Sequence, residues 1–71
     1  MFYIVDVHNN IKKLRSQNGL SQEKLAKETE VTRQTINAIE ANKYDPSLSL
    51  AFSLAKVLGT TVDDLFGEKN D

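Results

Sequence analysis

The stretch QEKLAKETEVTRQTINAIEA, residues 22–41, decides the fold. Its apolar positions are Leu25 and Ala26, then Val31, Ile36 and Ile39, spaced for two short helical faces and not for an alternating strand. Helices joined by so short a turn cross steeply and need a small side chain where their backbones approach, and Ala26 supplies it. Ser21 and Thr32 stand where N-caps are wanted, so one helix is expected over 22–29 and the next over 33–41. Glu23 falls near the positive end of the first helix. With the inward positions assigned, the second helix exposes Arg33, Gln34, Asn37 and Ala38, concentrated toward its N-terminal end. These side chains suit base edges: arginine forks onto guanine O6 and N7, and asparagine or glutamine pairs with adenine N6 and N7. The free N–H groups at the starts of both helices suit phosphate.

The flanks extend the helical pattern. Upstream, Val7, Ile11 and Leu14 recur at the spacing of one helical face, and Gly19 ends that helix at about Asn18. Before it, residues 2–7 are rich in β-formers and are expected to be a short strand or extended arm. Downstream, Asp45-Pro46-Ser47 makes a turn and a cap, and a helix over 48–58 stops at Gly59. Thr61 caps a last helix, with Asp64 in a capping-box-like place and Val62, Leu65 and Phe66 facing inward. The expected fold class is all-α: five short helices forming a domain over 11–66, an N-terminal arm over 1–10 and a tail over 67–71.

A chain of 71 residues has room for one domain with a thin core. That favours a binding module over an enzyme, since a substrate pocket and a supporting core would compete for the same few side chains. The absence of cysteine excludes a disulfide framework and a thiolate zinc site. No secretory leader or membrane-length apolar run is present, so a soluble, cytoplasmic protein is expected. His8, the only histidine, has no ligand cluster around it, and Asp63-Asp64 is explained by the helix N-terminus it occupies. There is no Gly-rich phosphate loop and no His-supported serine. No catalytic residue, cofactor or metal site is expected.

The net charge of −1 hides an asymmetry. From Lys12 to Lys43 seven basic residues face four acidic ones, whereas from Tyr44 onward two face five. The middle of the chain can therefore meet phosphate while the C-terminal part turns away. Lys12, Lys13, Lys24 and Lys27 individually read as solubility charges.

The run LSQEKLAKETEVTRQTINAIEANKYDPSLSLAFSLAKVLGTTVDDLF resembles the Cro/cI-type (Xre-type) helix-turn-helix of phage repressors and small bacterial regulators. The resemblance spans about residues 11–66 and lies in the joint order LSQ, LA, VTRQTI, IE, NKY-x-P and DDLF. It implies a compact five-helix, lambda-repressor-like domain whose third helix enters the major groove while the second lies across the backbone. Carried over by position, it gives Gln22, Thr32, Asn42 and Lys43 to phosphate, and Arg33, Gln34 and Asn37 to bases. It also makes Arg15 and Glu40 a largely buried ion pair. The chain departs from the pattern at Glu30, where glycine is usual, and at Thr29, usually apolar. A third departure is Ala38, where a longer base-reading side chain occurs.

The implied function is sequence-specific binding of double-stranded DNA by a transcriptional regulator, expected to be a repressor. It would act as a homodimer on an inverted-repeat operator. The alternative is an antitoxin-type module that binds its operator and also holds a protein partner. Two surfaces suit dimerisation. Phe52 falls outside the inward face formed by Leu50, Ala51, Leu54, Ala55 and Leu58, and the arm Phe2-Tyr3-Ile4-Val5 offers a free strand edge.

Overall fold

Short hydroxyl side chains set the starts of four helices in the computed structural model, which describes residues 9–67. Ser21, Thr32, Ser47 and Thr61 each sit in extended backbone and accept a hydrogen bond from the amide three residues on, at Lys24, Thr35, Leu50 and Asp64. Each cap satisfies one of the amides that a helix start leaves without a partner. The elements so defined are α1 (Ile11–Gln17), α2 (Gln22–Glu28), α3 (Arg33–Glu40), α4 (Leu48–Leu58) and α5 (Val62–Phe66), with no strand among the described residues. None of these helices is long and apolar enough to cross a membrane.

The helix ends also repeat one device. After α1, α2, α3 and α4 the chain turns through a left-handed residue, at Gly19, Glu30, Asn42 and Gly59. The following amide reaches five residues back, as Leu20 to Arg15, Val31 to Ala26, Lys43 to Ala38 and Thr60 to Ala55. These paired closing bonds satisfy the last carbonyls of each helix. Two of the four turns use a residue other than glycine. Glu30, at φ 60°, stands where the family pattern has glycine and carries a Cβ that left-handed backbone crowds.

Each helix contributes at least one fully buried side chain to a single core: Ile11, Leu25, Ile36 with Ile39, Leu54, and Leu65. Leu14, Leu20, Val31, Leu50, Val57, Val62 and Phe66 pack around it, half-buried. α2 packs against α3, and α4 against α1, α2 and α5. Ala26 of α2 is buried in the core, where a larger side chain would overpack it.

The structure differs from the sequence reading in details with local causes. α2 and α3 each end one residue earlier than expected, because Thr29 and Ala41 serve as C-caps. Thr29, polar at an inward position, is buried yet satisfied: its hydroxyl donates to the Leu25 carbonyl at 2.8 Å. Thr61 accepts the Asp64 amide at 3.0 Å, which is half of a capping box. The return bond needs the longer reach of glutamate or glutamine. α1 begins at Ile11, and Val7, His8 and the expected arm lie outside the described residues except for Asn9 and Asn10.

Those two asparagines close the domain. The Asn10 amide donates to the Leu65 carbonyl at 2.9 Å, and its side chain donates to the Asp64 carbonyl at 2.9 Å. The start of α1 is thereby tied to α5. Asn9 reaches a different helix, α3, at the Ile39 carbonyl.

Candidate nucleic-acid interface

α3 is held from below and bare above. Ile36 and Ile39 are 0% and 1% exposed and anchor it in the core, while Arg33, Gln34 and Asn37 project into solvent. Ala38 is half-buried between them and the following turn. Thr32 opens the helix, its hydroxyl accepting the Thr35 amide at 3.1 Å and lying 3.0 Å from the Thr35 hydroxyl. Cap and core anchor together fix the helix, so the exposed side chains stand on a rigid support.

Three shallow depressions border this face. One is lined by Glu23, Thr32, Arg33 and Gln34, and so brings α2 beside the start of α3. A second runs along the helix through Thr32, Gln34, Thr35, Ala38, Lys43 and Tyr44. The third gathers Lys12, Gln22, Asn37, Glu40 and Ala41 from three helices. Of the residues singled out in sequence, Gln22, Thr32, Arg33, Gln34, Asn37 and Lys43 thus line depressions around the exposed side of α3. Asn42 lies just off it, in a recess shared with Asn9, Ile39, Tyr44, Asp45, Pro46 and Phe66.

An ion pair underlies the face. Arg15 Nε meets Glu40 Oε2 at 2.7 Å, with side-chain exposures of 13% and 6%. Both groups make further hydrogen bonds. Arg15 also donates to the Leu20 carbonyl at 2.8 Å, and Gln22 Nε2 donates to Glu40 Oε1 at 2.9 Å. A buried carboxylate is tolerable when it is paired and its oxygens are hydrogen-bonded, as here. Arg15 therefore points inward, whereas Gln22 keeps one amide hydrogen and its oxygen uncommitted on the rim.

Lys12 and Glu23 also border these depressions. Lys12, whose charge the sequence explains by solubility, shares the lining of one depression with Gln22 and Asn37. Its position four residues before Ser16 on α1 gives no hint of this, because the neighbours come from α2 and α3. Glu23, read as a helix-dipole residue, also borders Arg33.

An exposed polar helix on buried anchors, preceded after a tight turn by a second helix at its flank, defines a helix-turn-helix domain. The helix-turn-helix family profile matches residues 11–65, and the chain belongs to that family in its Cro/cI-type, Xre-like form. It is 51% identical over 63 residues to an uncharacterised HTH-type transcriptional regulator of Methanocaldococcus jannaschii, covering 89% of this chain and 96% of that one. Among solved structures it is similar to the N-terminal DNA-binding domain of SinR from Bacillus subtilis. That similarity has a TM-score of 0.77 at 30% identity, covering 87% of this chain and 91% of that one. SinR solved in complex with DNA also aligns, with a TM-score of 0.69 at 30% identity, over 75% of this chain and 86% of that one.

Proposed function

We propose that this helix-turn-helix transcriptional regulator is a repressor that binds an inverted-repeat DNA operator as a homodimer, without catalysis. The observation that carries the reading is the bare face of α3, where Arg33, Gln34 and Asn37 stand exposed over the buried Ile36 and Ile39. Arg33 and Gln34 read base edges in the major groove, with Asn37 a turn further on. Gln22, Thr32, Asn42 and Lys43 hold phosphate and set the register, and Lys12 joins them from α1. A single recognition helix offers few base contacts, and a second copy about 34 Å away doubles them. The apolar surface available for that pairing includes Phe52 and Leu48, one turn apart on α4 and 59% and 69% exposed. An exposed aromatic beside a second large apolar side chain favours an interface over solvent. Together with α5 they form the proposed dimer surface.

Selection of bound duplexes from a random-sequence pool tests the proposal. It expects enrichment of an inverted repeat whose half-sites are centred about one helical turn apart. Recovery of no common sequence, with equal affinity for all duplexes at moderate salt, would overturn it.

A further inference from the structure

Asn9 sits ahead of α1, yet its side chain is spent on α3. Nδ2 donates to the Ile39 carbonyl at 2.8 Å and to Asn42 Oδ1 at 2.7 Å, while Oδ1 accepts the Ile11 amide at 3.2 Å. This geometry leaves no ambiguity about which end of each amide is which. A backbone carbonyl can only accept and a backbone amide can only donate, so Ile39 and Ile11 fix Asn9 from both ends. With Asn9 fixed, the atom of Asn42 that faces it has to be the oxygen. The Asn42 NH2 group is then turned away from Asn9, and it has no partner among the described residues. Asn42 is exposed and held at φ 61° by the turn that closes α3, next to Lys43.

We infer that Asn9 is a positioning residue for DNA binding: it holds the Asn42 amide with its oxygen inward, so that the NH2 group donates to a phosphate oxygen beside Lys43. The inference rests on the proposed DNA-facing role of the α3 end. Left unheld, an exposed asparagine samples both amide orientations, and one of them presents an oxygen to the phosphate. Asn9 removes that orientation before DNA arrives, which is preorganisation.

The test measures binding of wild type, Asn9→Ala, Asn42→Ala and the double variant to a duplex selected by the wild-type protein. Circular dichroism confirms that each variant is folded at the temperature used. Loss of one hydrogen bond to a charged group predicts about a tenfold weakening for Asn42→Ala and a smaller one for Asn9→Ala. The double variant is expected to be no weaker than Asn42→Ala: the Ile39 carbonyl that Asn9 also holds keeps the Asn42 amide as a partner, which leaves Asn42 as the route by which Asn9 affects DNA binding. Neither change alters the slope of affinity against salt, since no cation is removed. Asn42→Asp keeps an acceptor for Asn9 and should fold as stably as wild type, yet bind DNA less well than Asn42→Ala. Multiplying losses in the double variant would overturn the inference, as would an Asn9→Ala protein that binds like wild type while Asn42→Ala does not. Wild-type affinity in Asn42→Ala would instead remove Asn42 from the phosphate contacts, and the inference with it. Selection of no duplex by the wild-type protein would overturn the proposed function itself.

Discussion

Gln22, the first residue of α2, donates a 2.9 Å hydrogen bond to the carboxylate of Glu40, the last residue of α3. The same carboxylate holds Arg15 of α1 on its other oxygen at 2.7 Å. One buried group thus joins three helices directly beneath the face proposed to meet DNA. Removing it by Glu40→Ala strands the Arg15 guanidinium, with an expected loss of about 3–5 kcal/mol, a large part of a small domain's stability. Gln22→Ala removes one hydrogen bond to that carboxylate and should destabilise by less, about 1.5–3 kcal/mol. Chemical denaturation measures both, and a Glu40→Ala curve that overlays wild type would exclude a structural role for the pair.

Arg33 is exposed at the first position of α3, with its backbone set by the Thr32 cap. Arg33→Ala is expected to weaken binding to the selected duplex by about 1–3 kcal/mol and to relax the preference at one base pair per half-site. Competition assays with single-base variants give the answer. Equal losses on specific and unrelated DNA would place Arg33 on phosphate instead.

Lys43 and Lys12 line two separate depressions beside α3, and both are exposed. Each alanine substitution should weaken all sequences alike and flatten the dependence of log affinity on log salt by about one unit. The double variant should lose about two. A slope unmoved by Lys12→Ala would return that residue to the solvated surface.

Glu30 is exposed and left-handed, so its side chain makes no buried contact that glycine would forfeit. Glu30→Gly relieves about 1–2 kcal/mol of backbone crowding, partly offset by the larger entropy of glycine in the unfolded chain. A net gain of about 0.5–1 kcal/mol is expected from the shift in denaturation midpoint. A lower midpoint would mean that the Glu30 side chain stabilises the turn in some other way.

Phe52 is 59% exposed on α4, so Phe52→Glu should fold normally. In sedimentation at micromolar concentration the wild type is expected to be a dimer and the variant a monomer. The variant should lose affinity for the inverted repeat while keeping that for an isolated half-site. A dimeric Phe52→Glu protein would move the interface elsewhere.

The helices were legible in the sequence because their signals are local. A hydroxyl caps the amide three residues on, a left-handed residue closes the helix before it, and apolar side chains recur with the helical turn. Ser21, Thr32, Ser47 and Thr61, with Gly19 and Gly59, gave the boundaries to within a residue. The exposed residues of α3 follow from the same periodicity, since Ile36 and Ile39 leave Arg33, Gln34 and Asn37 no other side to face. The pairing of Arg15 with Glu40 came from resemblance, because nothing in a separation of 25 residues announces it.

The sequence by itself therefore determined five helices, the N-caps of four of them, and which side of α3 is bare. Only the tertiary structure decided that Asn9 and Asn10 cap the ends of α3 and α5, that Gln22 shares Glu40 with Arg15, and that Lys12 stands beside Asn37. These contacts join a side chain to a group of another element, 18 to 54 residues away where a hydrogen bond links the two. Which of them meet depends on the angles at which the helices cross, and those angles are set by the packing of the whole core around residues such as Ala26 and Leu54. Hydrogen-bonding side chains like asparagine carry no periodic signature, so their partners emerge only when the core has placed the helix ends within reach.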